Sequence, residues 1–126
     1  GSVREITIPK GTAQHVFEKV TSAEFATSTL MIKVEADAEL ELVFLQDQVT
    51  QSFSRVHIVL ERNARVNATL IQSSTRKGQV RAHIECKGEG AEALVHGLTI
   101  GKETERQDLW VDVVHKCIIN LQKRIS

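Results

Sequence analysis

Apolar and polar residues alternate along nearly the whole chain, in short runs broken by tight turns and polar corners. Val3, Ile6 and Ile8 stand among Arg4, Glu5 and Thr7, ahead of a turn at Pro9-Lys10-Gly11. Leu30, Ile32 and Val34 share one face, with Thr29, Met31 and Lys33 on the other. After Ala36-Asp37, Ala38, Leu40, Leu42 and Phe44 point one way, Glu39 and Glu41 the other. Val56, Ile58 and Leu60 lead into Glu61-Arg62-Asn63, then Ala64, Val66, Ala68 and Leu70. Val80, Ala82, Ile84 and Cys86 precede the turn at Gly88-Glu89-Gly90. Leu109, Val111 and Val113 then alternate with Trp110, Asp112 and Val114. A period of two predicts strands with one face in a core. The polar stretches Gln46 to Ser52, Ser73 to Gly78 and Lys102 to Gln107 read as corners. Thr12 to Ala23 is ambiguous, because Val16, Phe17 and Val20 fit one face of a helix capped by Thr12. Its place in the pattern assigns it to a strand.

That pattern repeats. A turn followed by an alanine and an apolar strand recurs, with the alanines at 13, 38, 64 and 91, spaced 25, 26 and 27 apart. The glycines at 88 and 90 are expected to take positive φ in the last of these turns. Repetition at a near-fixed period marks stacked coils. His57-Ile58 and His83-Ile84 are 26 apart, which places the two histidines in one outward column. An antiparallel sandwich has no reason to keep such a period. The chain therefore predicts an all-β fold, a parallel β-helix of about four to five coils in one domain over residues 3–126. Gly1-Ser2 reads as a cloning scar.

Composition changes the picture mainly by exclusion. Lys+Arg and Asp+Glu both count 16, so net charge draws the chain toward neither nucleic acid nor anionic membrane. Four Phe, one Trp and no Tyr are too few for a base-stacking surface. No apolar run approaches the ~20 residues of a membrane helix. Cys86 and Cys117 do not make a disulfide framework, and a reduced, cytoplasmic setting is expected.

Three stretches resemble SufB/SufD proteins, the iron–sulfur cluster assembly scaffolds. They are Glu61-Arg62-Asn63-Ala64-Arg65-Val66, then Gly88-Glu89-Gly90-Ala91-Glu92-Ala93-Leu94-Val95-His96-Gly97-Leu98, then Gln107-Asp108-Leu109-Trp110-Val111-Asp112-Val113-Val114-His115. The resemblance rests on their order and spacing and runs from about Ile6 to His115. It implies a right-handed β-helix core and no catalytic triad. It also implies a SufC-like ATPase and a SufB/SufD-like paralogue as partners. The chain is shorter than a typical member, with fewer coils between Ala64 and Ala91. It is expected to lack the family's C-terminal helical region, which docks the ATPase and carries the residues that hold the nascent cluster. No residue here is matched to those ligands.

Candidate sites remain few. His115 and Cys117 share a face of a strand, and imidazole with thiolate suits iron or zinc, but two ligands do not close a site. Cys86 falls in the inward set, where a thiol is inert. With His115 and Cys117 it completes the metal candidates, with a transient iron–sulfur cluster as the cargo they would hold. The expected roles of all three are structural. The column of His57 and His83, beside Arg55, Arg81 and Glu85, reads as solvated surface that offers two imidazoles to a metal at an interface. Glu35, Glu39, Glu41 and Asp47 read as a wet face. No phosphate loop or nucleophile motif is present. The expected function is a non-catalytic assembly scaffold, forming a homo- or heterodimer through its C-terminal coil. A structural adaptor without cluster binding is the alternative, and a carbohydrate-active β-helix enzyme a further one.

Overall fold

The computed structural model describes residues 2–20, 25–47, 51–73, 77–100, 106–114 and 118–125. Side chains are described between residues 3 and 98, apart from those at 25, 26, 51, 52, 73, 77 and 78. Ten strands alternate between two sheets. Sheet A holds β1 (Ser2–Ile8), β3 (Phe25–Val34), β5 (Gln51–Leu60), β7 (Lys77–Cys86) and β9 (Arg106–Val114), in that spatial order. Sheet B holds β2 (Ala13–Val20), β4 (Glu39–Asp47), β6 (Arg65–Ser73), β8 (Glu92–Ile100) and β10 (Ile118–Ile125). Every pairing is parallel, and each strand pairs with those of the coils before and after. This is the parallel β-solenoid that the repeat predicts. The strand assignment of β2 holds. The corner expected from Gln46 to Ser52 is shorter, since β4 runs to Asp47 and β5 starts at Gln51.

The repeat becomes columns of like residues. Ile6, Ile32, Ile58 and Ile84 lie in consecutive register on sheet A. Leu40, Val66 and Ala93 do so on sheet B, and so do Phe44, Leu70 and Gly97. A large side chain stacked over smaller ones lets the coils pack without voids. The core is the narrow space between the sheets, filled by branched aliphatics such as Ile32, Leu42, Ile58, Leu60 and Ile84.

One column within the core is polar. Gln72 Nε2 donates to Gln46 Oε1 at 3.2 Å, and Gln46 Nε2 donates to Ser54 Oγ at 3.2 Å. Ser28 Oγ donates to Ser54 Oγ at 3.1 Å. Gln46, Ser54 and Gln72 are all buried. This ladder sits where the strands approach the polar corners, and it links buried amides and a hydroxyl across coils.

The tight turns form their own column. Gly11, Asp37, Asn63 and Gly90 all have φ near +60° to +80°, at 70°, 61°, 57° and 77°. Each turn's N–H donates to the next coil: Gly11 to the carbonyl of Ala36, Asp37 to that of Arg62, Asn63 to that of Glu89. Asp and Asn tolerate the left-handed region better than other side chains, and glycine fills it without strain. Gly88 does not share that conformation. It is needed for close approach, since a Cβ there would lie 2.6 Å from the Arg62 backbone nitrogen. The first alanine of the repeat is also one position out of step. Ala13 stands opposite Glu39, and Thr12 occupies the place of Ala38, Ala64 and Ala91.

The N-terminal coil carries polar residues in inward register. Arg4 stands opposite Leu30, and Glu18 opposite Phe44. Arg4 and Glu18 pair with each other across the two sheets, so an ion pair covers the core at that end. Val3 is exposed, and Arg4 takes the inward place.

Candidate functional site

Three surface features qualify as sites. The first is a groove of about 490 Å³ across the outer face of sheet B, crossing β2, β4, β6 and β8 near their starts. Its floor joins two outward columns: Ala13, Glu39, Arg65 and Glu92, and His15, Glu41, Asn67 and Leu94. His15 Nδ1 lies 3.1 Å from Glu41 Oε2, and Arg65 Nε lies 3.4 Å from Glu92 Oε2. Asn67 Oδ1 is buried without a hydrogen-bond partner. The groove is lined by opposite charges already matched, and it contains no hydroxyl or thiol nucleophile. The acidic stretch is engaged in the same way, as Asp47 lies 3.8 Å from Lys19 Nζ and Glu35 Oε1 accepts from the Lys10 backbone N–H at 3.1 Å.

The second feature is the column of His57 and His83 on the outer face of sheet A. The rings meet edge to face, with centroids 4.7 Å apart. His57 Nε2 lies 3.9 Å from Glu85 Oε2, beyond hydrogen-bond range, and is itself buried and unpartnered. Burial lowers the His57 pKa, and the neighbouring His83 lowers it further. Glu85 raises it, while Arg55 and Lys87 lower it. The ring is therefore held neutral, as burial among cations requires. Its neighbours are those expected from the sequence.

The third is Cys86. It is buried at the end of the column formed with Val34 and Leu60, as an inward position requires. Its sulfur is not a free thiol but part of a disulfide. The chain's other cysteine is Cys117. A disulfide sulfur cannot serve as a thiolate ligand, so Cys86 offers itself to a metal only after reduction. His115 and Cys117 lie outside the described residues. Among the described residues, no group of three or more His, Cys, Asp and Glu is arranged to hold a metal ion.

The sequence did not single out the groove. Its signal is spread over four repeats, three residues from each, and becomes visible only once the register is known.

The fold and its surfaces place the chain among all-β proteins built as a two-sheet parallel solenoid. Residues 4–118 match the family model of the SUF system FeS cluster assembly SufBD core domain. The chain belongs to that family, and its involvement in SUF iron–sulfur cluster assembly follows. No curated protein and no solved structure matches the chain. Among the described residues no helix is long and apolar enough to cross a membrane.

Proposed function

We propose that this chain is a non-catalytic scaffold component of the SUF machinery, acting in the cytoplasm in a complex with a SufC-like ATPase and a SufB/SufD-like paralogue. The observation that carries this reading is the SufBD core match, which covers residues 4–118. The cluster is cargo in this reading. Energy comes from the ATPase, and the solenoid supplies a rigid frame that presents surfaces to both partners.

The two ends of the solenoid support a dimer through the C-terminal coil. The N-terminal end carries the Arg4–Glu18 ion pair over its core. At the other end, β9 and β10 are the outermost strands of the two sheets. Their residues in register with buried positions are apolar: Val111 with Ala82, Val113 with Ile84, Ile119 with Ala93 and Leu121 with Val95. The edge strand of a sheet pairs readily with another chain. Light scattering on the purified chain, alone and mixed with the SufB/SufD-like paralogue, is expected to give a dimer mass. The variant Leu121→Asp is expected to give a monomer. A monomer mass for the parent chain in both mixtures would contradict the dimer.

A second reading, an adaptor without cluster binding, is favoured by the engaged state of Cys86. Anaerobic reconstitution with iron and sulfide separates the two. A visible charge-transfer band that disappears in the Cys86→Ser, Cys117→Ser double variant assigns ligands to this chain. Absence of that band in a folded parent chain supports the adaptor.

A further inference from the structure

One column on the outer face of sheet A collects metal-binding residue types from three successive coils. His57 on β5 stands directly opposite His83 on β7, and His83 stands directly opposite Asp112 on β9. The two histidine rings already meet edge to face, with centroids 4.7 Å apart. Adjacent strands are ~4.8 Å apart, so residues in consecutive register stand close enough to share one ion. Among the residues with described side chains, no three of His, Cys, Asp and Glu form such a set. The register of β9 adds the carboxylate that the histidine pair lacks in the sequence.

His57 has a nitrogen to offer. Its Nε2 is buried and has no hydrogen-bond partner, and Glu85 Oε2, at 3.9 Å, lies beyond hydrogen-bond range. Buried polar atoms are nearly always partnered, so this one calls for a ligand. Burial lowers the His57 pKa and His83 lowers it further, so the ring is neutral at neutral pH and its lone pair is open to a metal ion. Arg55 and Lys87 act in the same direction, and Glu85 acts against them. Arg81 stands opposite Arg55 in the neighbouring column. These cations oppose a metal ion as they oppose a proton. Glu85 and Asp112 bring the opposite charge, and the bond from a ring nitrogen to a first-row transition ion is a directional attraction that a simple cation lacks.

We propose that His57, His83 and Asp112 bind one divalent first-row transition ion on the outer face of sheet A. Two neutral imidazoles and a carboxylate are a donor set that suits zinc and its neighbours better than calcium or magnesium. Three protein ligands leave a coordination position open to water or to a group from outside the chain. The site uses neither Cys86 nor Cys117, so it stands or falls independently of any cluster held through sulfur.

The test titrates Co2+ into the intact chain at neutral pH, followed by visible absorption, with Zn2+ as the competitor. Saturable bands at one ion per chain, displaced by Zn2+, are expected. His83→Gln and Asp112→Asn should each weaken binding by about tenfold or more, at least the loss that an outer-shell partner of a metal site causes. His57→Gln is the second imidazole variant, and the parent chain alone decides whether an ion binds at all. Thermal melting supplies another readout: Zn2+ should raise the Tm of the parent chain and leave that of His83→Gln unmoved, because a ligand of the native state stabilises it. The Cys86→Ser, Cys117→Ser double variant and His115→Ala should bind as the parent does. No saturable binding, parent affinity in His83→Gln or in Asp112→Asn, or loss of binding in the cysteine double variant or in His115→Ala would each overturn the proposal.

Discussion

At the scale of single residues, the turn column explains which glycines matter and why they differ. Gly11 has positive φ with open space around its Cα. Gly11→Ala should cost about 1 kcal/mol, the conformational term alone. At Gly90 a Cβ would add a clash with Asn63 Oδ1 at 2.2 Å, which a side-chain rotation can partly relieve. Gly88→Ala meets backbone, at 2.6 Å from the Arg62 nitrogen, so the coils themselves must separate. We expect the order Gly11 < Gly90 < Gly88 in loss of stability, measured by urea unfolding. An equal loss at all three would mean that the clashes are absorbed elsewhere. His57 gives a second residue-scale expectation. Its folded pKa is lowered, first by burial and then by His83, with Arg55 and Lys87 adding and Glu85 opposing. The unfolded chain therefore binds its proton more readily. Stability contributed by the neutral ring is full above the ordinary histidine value of 6.5 and is lost as pH falls through the lower folded pKa. Melting from pH 7.5 to pH 5 should show a smaller acid loss in His57→Gln than in the parent chain, those two pH values being about one unit either side of the ordinary histidine range. A parallel pair of curves would contradict the assignment.

At the scale of elements, alternation was enough to place most strands and their inward faces. Leu30, Ile32 and Val34, or Leu40, Leu42 and Phe44, show why: an apolar residue at every second position has one burial solution. The register was legible too, because His57-Ile58 and His83-Ile84 keep the coil period. What alternation cannot show is a polar residue in an inward place. Gln46 reads as the beginning of a corner and Gln72 stands just before one, yet both are buried and bonded across coils. Arg4 and Glu18 occupy inward register in the first coil, where they pair with each other. The engaged sulfur of Cys86 was hidden for another reason, since a spacing in sequence does not reveal a pairing across coils. The glutamine ladder yields its own prediction. Gln46→Leu leaves bonding groups of Gln72 and Ser54 buried and should cost about 1–3 kcal/mol. Gln46→Leu with Gln72→Leu should cost less than the sum of the two single variants, read as a double-mutant cycle in urea. Additive losses would show that the two amides act separately.

At the scale of the molecule, the SufBD core family and the solenoid agree with each other. A stack of coils held by parallel pairing and a narrow core is stiff, and it places surface columns at fixed spacing. The groove lies on the outer face of sheet B, and the two histidines His57 and His83 on the outer face of sheet A. The first coil is polar over the core, and the last strands are apolar in register. The most direct test is a reconstituted system of the purified chain, a SufC-like ATPase and a SufB/SufD-like paralogue, supplied with iron, sulfide and ATP. Cluster formation is followed by visible absorption, with this chain present or omitted. The scaffold reading predicts ATP-dependent cluster formation that falls sharply when this chain is left out. The same rate and yield without the chain would contradict it.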